Sequence, residues 1–286
     1  MGRYLELTKP RITCFILMSA AIGFVCGMNA GGQVWTWRTL LHTLIGTALI
    51  ASGTAALNQW YERDADAKMD RTSARPIPSG RVTAPHALLF GILLSVAGFV
   101  DLWLGANLLT ALLGLFTLVS YLFLYTPMKQ RSPHSTTLGA IPGAMPPLIG
   151  FAAASGTLNW NAWILYAILF LWQFPHFYAI AWMYRADYAR AGIRMLPVVE
   201  PDGESTSRQM LWFSLALLPI SVLPKFFAMA GNFYLAGALV LGLIYVYTSL
   251  RSVFDHSVAR ARQVLFASVL YLPFLYGLLL LDRTRS

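Results

Sequence analysis

The chain has 286 residues, of which 57% are apolar and only 12% charged, where soluble domains average roughly 25% charged. A mean hydropathy of +0.58, with no long polar stretch, excludes a soluble globular domain and a disordered chain alike. The net charge of +9 does not point to nucleic acid; in so apolar a chain it matters where the cations fall relative to a bilayer.

Nine apolar blocks, each long enough to cross roughly 30 Å of hydrocarbon, run near 12–28, 39–57, 85–104, 107–125, 135–153, 161–183, 209–229, 233–250 and 263–281. The expected fold is all-α, a polytopic membrane protein whose nine transmembrane helices form one bundle, a single domain over 1–286. The first block follows Lys9, Pro10 and Arg11, a basic start like that of a signal peptide. However, Glu6 sits in that start and no small-residue cleavage site follows, so the block reads as an uncleaved helix. Cys14 and Cys26 both fall inside it and read as packing residues, since two thiols on one helix make neither a disulfide framework nor a zinc site.

Alternate connections between the blocks lie on opposite sides of the membrane. Of the 21 Lys and Arg residues, only Arg38, Lys225, Arg283 and Arg285 fall on one side. All others sit on the N-terminal segment or the connections near 58–84, 126–134, 184–208 and 251–262. This asymmetry predicts a cytoplasmic N-terminus and an external C-terminus. The acidic residues follow the same side: Glu62, Asp64, Asp66 and Asp70 share one connection, and Asp187, Glu200, Asp202 and Glu204 another. Charged chemistry is therefore expected at the cytoplasmic face.

Behind the second block, Asn58, Glu62 and Asp66 are spaced i, i+4, i+8, which puts them within roughly 80° of one helical face. Asp70 continues the series further round, while Asp64 points elsewhere. Carboxylates four apart repel one another on a helix, and a divalent cation converts that repulsion into binding. Oxygen ligands suit magnesium, which shares its coordination with substrate phosphates; Arg71 and Arg75, close by, are suited to holding the same phosphates. The plainer alternative is a solvated charged connector.

The combination Asn58-x-x-x-Glu62-x-x-x-Asp66, then Arg71-Thr72 and Arg75-Pro76-Ile77-Pro78-Ser79-Gly80, resembles the first signature of the UbiA-type intramembrane prenyltransferases. That resemblance implies nine helices and an isoprenyl diphosphate bound through Mg2+. Three further segments are similar to the heme-farnesylating branch of that superfamily. They are Tyr125-Thr-Pro-Met-Lys129-Gln-Arg131 with the run Gly139 to Gly150, Phe170 to Phe177, and Asp187-Tyr188-x-x-Ala191-Gly192-x-x-Met195-Leu196-Pro197. With the start Tyr4-x-x-Leu7-Thr8-Lys9-Pro10-Arg11, the similarity covers nearly the whole chain. It implies transfer of farnesyl from farnesyl diphosphate to a vinyl group of heme B with addition of water, giving heme O and pyrophosphate. It also implies a multi-pass protein of the bacterial inner membrane, a site facing the cytoplasm, and partnership with heme A synthase or assembly proteins of a terminal oxidase. Departures are Glu62 where many members carry Asp, Arg194 where many carry Pro, and Ala191 in place of a second aspartate four residues after Asp187.

On this reading Asn58, Glu62, Asp66, Asp70 and Asp187 are the metal ligands. Arg71, Arg75, Tyr125, Lys129 and Arg131 hold the diphosphate. The fifth block, with Gly139, Pro142, Gly143, Pro146, Pro147 and Gly150, is too interrupted for a regular helix; such breaks at membrane depth line a cavity or pack against protein. His176, three residues after Gln173, is either an acceptor-side catalytic residue or an interhelical packing contact. His42, His86, His134 and His256 are weaker candidates, and Asp101, inside the third block, pairs or snorkels. Two rival functions share parts of the pattern: a related prenyltransferase with an aromatic or quinone-precursor acceptor, and a secondary transporter with a broken helix.

Overall fold

Hydrocarbon offers backbone N–H and C=O groups no partner but each other, so each apolar block closes into a helix. The computed structural model describes residues 2–28, 30–31 and 34–283. Among them are nine helices long and apolar enough to cross a membrane: α1 (Pro10–Gly27), α2 (Trp37–Tyr61), α3 (Ala84–Gly105), α4 (Leu108–Met128), α5 (Ser135–Ser155), α6 (Trp160–Met183), α7 (Glu204–Phe226), α8 (Asn232–Phe254) and α9 (Val258–Leu281). No strand occurs among the described residues. Arg285, one of the four cations expected outside, lies beyond them. The helices match the nine apolar blocks, the main difference being that α7 and α9 begin about five residues early. Their first turns, Glu204 to Arg208 and Val258 to Arg262, each carry two charged residues and so escape a hydropathy reading. Side-chain caps define four of the starts: Thr36 accepts from the Thr39 amide, Asn107 from Thr110, Asn159 from Asn161 and Ala162, and Ser257 from Arg260.

One helix stands in the middle. Of the apolar window of α5, 78% is buried, against at most 56% in any other span, so it is enclosed rather than lipid-facing. As its breakers predict, it is broken, running Ser135–Gly143 and resuming at Pro146–Ser155 with prolines at the new start. Helices α2, α3 and α4 pack to one side and α6, α7, α8 and α9 to the other, while α1 lies along the second half of α5. Small residues permit this approach. A methyl group on Gly150 would collide with the Ala20 carbonyl, and one on Gly23 with the Pro147 carbonyl. Near its end α4 widens into a π-helical stretch, Ser120–Tyr125, directly after which Thr126 Oγ1 donates to the Tyr121 carbonyl at 2.8 Å. Such single π turns re-aim side chains, and here they are Tyr121, Tyr125 and Thr126.

Backbone has no rotamer with which to yield, so Gly150→Val must push α1 and α5 apart. We expect a loss of at least about 1–3 kcal/mol and a clearly lower Tm in detergent. An unchanged Tm would contradict the close α1–α5 packing.

Candidate active site

The cluster begins where α2 ends. At Glu62 the backbone leaves helical geometry (φ −89°, ψ 5°) and a short turn, Arg63–Asp66, follows. The ladder is thus not on one straight helix as expected. The i, i+4 hydrogen bonds nevertheless persist across the bend, from the Glu62 amide to Asn58 O at 2.9 Å and from the Asp66 amide to Glu62 O at 2.8 Å. The three side chains therefore still converge. Asn58 is buried and its Nδ2 donates to Thr126 Oγ1 at 3.2 Å, which uses the π turn of α4.

Two carboxylates are taken out of water here, and each has a cation. Glu62 Oε1 accepts from Lys129 Nζ at 2.8 Å, with side chains 11% and 14% exposed. Lys129 Nζ also lies 4.5 Å from the centroid of the Tyr125 ring, a favourable cation–π distance. Asp66, 1% exposed, receives Arg75 Nη1 on Oδ2 at 2.6 Å. Its other oxygen, Oδ1, is buried without a hydrogen-bond partner. The opposite wall comes from the connection after α6, where Asp187 pairs with Arg190, and Arg190 also reaches Asp70 at 2.6 Å. Arg71 lies 4.8 Å from the Tyr184 ring centroid and donates to the Tyr188 hydroxyl at 3.1 Å. The Arg194 amide donates to Lys129 O at 2.8 Å. Three charged connections, remote in sequence, thereby form one cap.

Not every expected residue joins the buried cluster. Asp70 is at the rim with its side chain 87% exposed, and Arg131 and His134 are exposed. His176 lies elsewhere, in the seam between α6 and α9. Its Nδ1 is 2.8 Å from Ser268 Oγ and its ring stacks on Trp172 at 5.0 Å. From the same segment it is Gln173 that turns toward α5, donating to Ala140 O at 2.9 Å with its side-chain oxygen against Gly143. Asp101 pairs with His42 at 2.8 Å, as expected of a charged residue within a span.

Lys9 belongs to the site although it reads as a topology charge in the sequence. It precedes Pro10, which disfavours ordinary helical geometry for the residue before it, and it adopts the left-handed conformation, φ 49°. Burial first, then the Arg75 guanidinium, pull its pKa down to about 7, against an opposing pull from Glu62. For Glu62, burial pushes the pKa up, but the Lys129 ammonium and its hydrogen bond outweigh this and hold it below the ordinary value. The sequence signal for Lys9 was the Lys-Pro pair itself, a cation fixed beside a rigid helix start.

From Lys9 and Tyr121 a narrow cavity of about 140 Å³ runs between α1, α2, α4 and α5, past Ile16, Ile50 and Gly143 toward Leu102. Its α2 wall, Thr47 to Ala55, is about 12 Å long at helical rise. Charged groups thus stand at one end of an apolar channel. The donor set fits magnesium and not a fully protein-enclosed ion. Among the described residues no three His, Cys, Asp or Glu side chains form a metal-holding group. Magnesium, however, typically takes one or two carboxylates plus substrate phosphates and waters. The unpartnered Oδ1 of Asp66 and the side-chain oxygen of Asn58 are hard donors that would suit that role.

The sequence profile of the UbiA prenyltransferase family matches residues 16–272. A relative from Solibacter usitatus, named protoheme IX farnesyltransferase, is 61% identical over 99% of both chains. One from Koribacter versatilis with the same name is 47% identical over 98% of this chain and 93% of its own. Among solved structures, a digeranylgeranylglyceryl phosphate synthase superposes with a TM-score of 0.80 at 17% identity, covering 98% of this chain and 97% of that one. A UbiA homologue from Archaeoglobus fulgidus bound to GPP and Mg2+ superposes with a TM-score of 0.66 at 17% identity, covering 97% of this chain and 99% of its own. These two establish likeness of fold.

Removing one partner of a buried ion pair strands the other. Lys129→Met is expected to destabilise by about 3 kcal/mol, and Glu62→Gln/Lys129→Met to regain most of it. Because the folded-state pKa of Glu62 is depressed, its contribution is present above the ordinary value of 4.5 and is lost as pH falls below it. Detergent melts of both variants from pH 7 to pH 3.5 measure this; equal pH dependence in wild type and double variant would remove the pair from the stability of the cap.

Proposed function

The chain belongs to the UbiA prenyltransferase family, and from that membership we propose that it transfers farnesyl from farnesyl diphosphate to a vinyl group of heme B, giving heme O and pyrophosphate. The observation that carries the chemical half is Asp66, a buried carboxylate with one oxygen on Arg75 and the other unpartnered, whose charge acts on Lys9 at the mouth of an apolar channel. The heme half rests on the names borne by relatives at 61% and 47% identity.

Asn58, Glu62, Asp66 and Asp187 would hold Mg2+, which when bound supplies charge neutralisation for the diphosphate. Asp70, at the rim, would act on the outer side of that set. Lys129, Arg75, Arg71 and Lys9 bind and orient the diphosphate oxygens, Lys129 and Arg75 exchanging Glu62 and Asp66 for phosphate, and Arg131 adds charge at the entrance. Tyr125 fixes the Lys129 ammonium over its ring. The apolar channel takes the prenyl chain and excludes water from the allylic carbon. At about 140 Å³ it is narrower than the 300–1,000 Å³ usual for ligand pockets, so entry of the chain widens it. The allylic C–O bond breaks, with its electron pair leaving on pyrophosphate. The heme vinyl electrons form the new C–C bond, and water adds to the resulting cation with loss of a proton. Tyr121, at the channel mouth, offers a ring face to the allylic cation. Gln173 faces the break in α5, and His176, held by Ser268 and Trp172, fixes the helix that carries it. Neither an aromatic acceptor nor transport is favoured by any contact described above.

The excess of Lys and Arg at the site end supports a cap in the cytoplasm, with the N-terminus there and the C-terminus outside, in the inner membrane of a bacterium. Heme A synthase or oxidase assembly proteins would then receive the product. Purified protein with farnesyl diphosphate, Mg2+ and heme B is expected to release pyrophosphate and form heme O. Asp66→Asn should lower this at least about 100-fold with the protein still folded; wild-type turnover by the variant would remove Asp66 from the mechanism. Reporter fusions are expected to place the two termini on opposite sides, and both ends on one side would refute the orientation.

A further inference from the structure

A groove of about 760 Å³ lies not at the carboxylates but on the outer surface between α8 and α9. Its floor and walls are apolar, including Ile244, Leu270 and Phe274, and its end nearest the cap carries Arg251 and Arg262. Three arginines share this corner of the bundle. Arg260 is satisfied, with Nε on Asp255 at 2.9 Å and Nη1 on Gln263 at 3.0 Å. Arg251 and Arg262 have no carboxylate at ion-pair distance among the described residues; Arg251 has only the face of Tyr247, 5.7 Å from its ring centroid.

Dimensions and charge decide what such a groove accepts. From Arg262 to Phe274 along α9 is about 18 Å at helical rise, close to the roughly 15 Å of one leaflet of hydrocarbon. Ile244, Phe266 and Phe274 are exposed, so the groove opens sideways into the acyl chains and not into water. Two uncompensated guanidiniums at the membrane surface call for an anion, and basic pockets between spanning helices suit anionic headgroups. We propose that this groove is a binding site for one anionic phospholipid, its phosphate between Arg251 and Arg262 and an acyl chain lying along Ile244, Leu270 and Phe274. A zwitterionic lipid presents its own ammonium to the same two arginines and is held less well. The site stands apart from the diphosphate machinery, so lipid retention does not depend on the prenyl-transfer reading.

The test is native mass spectrometry of the full chain in detergent, with phosphatidylglycerol and phosphatidylcholine of identical acyl chains. Wild type is expected to retain one phosphatidylglycerol in preference to phosphatidylcholine. Arg251→Gln/Arg262→Gln should lower that retention about tenfold or more, while Lys225→Gln at the opposite end leaves it unchanged. Leu270→Trp, which fills the groove without changing charge, should also lower it, and it carries the test should the double variant fail to fold. Equal retention of both lipids by wild type would overturn the proposal. So would unaltered retention in the double variant and in Leu270→Trp, or displacement of the lipid by inorganic phosphate or heme B at equimolar concentration.

Discussion

A carboxylate withdrawn from water must find a cation, and the charged end of this bundle is organised by that requirement. Burying an ion costs several kcal/mol even after relaxation, and only close, well-directed pairing recovers it. Glu62 and Asp66 are both nearly inaccessible, so Lys129 and Arg75 must come to them. Lys129 arrives from the end of α4, and through its carbonyl it also receives the amide of Arg194. Asp187, nearly as buried as Glu62, and the exposed Asp70 share Arg190 in the same way. Pairing of charge thus closes three connections over the mouth of the channel. On the proposed function, a magnesium diphosphate would bring both signs at once and could take over the carboxylates and the cations without leaving either unpaired. The charge balance that stabilises the free protein would then also suit the site to that ligand.

What was legible in the sequence follows from which interactions are local. Hydrophobic block length is local, and nine spans could be read; so is the i, i+4 spacing of Asn58, Glu62 and Asp66, which survives the bend at Glu62 because its backbone hydrogen bonds do. The bend itself was not legible, since its cause is the tertiary demand that Asp66 turn inward to Arg75. Pairings across the chain were legible only in outline. Arg71, Arg75 and Lys129 were placed with the carboxylates by type and side of the membrane, but which cation met which anion was decided by folding. Lys9 was missed because charge beside a first span has a sufficient explanation in topology. His176 was left between chemistry and packing by its type, and its hydrogen bond to Ser268 and stack on Trp172 are contacts a packing residue would make. Its neighbour Gln173, less suggestive by type, is the one facing the break in α5.

The broken α5 and the π turn of α4 solve one problem between them. Diphosphate charge cannot enter hydrocarbon, while the allylic carbon attached to it must be kept from water until the acceptor reaches it. The scissile bond has to sit at a sharp boundary between the two environments. A regular helix at the centre of the bundle would fill that boundary with side chains. Interrupting α5 after Gly143 leaves space there, with Pro142, Gly143 and Pro146 lining the channel, and widening α4 over Ser120–Tyr125 turns Tyr121 to its mouth and brings Tyr125 against Lys129. Irregular backbone at membrane depth is tolerable only when enclosed by protein, which is why the broken helix is also the most buried one. The central position of α5, its small residues against α1 and its interruption are then consequences of one constraint: the reacting bond must lie where charge ends and hydrocarbon begins.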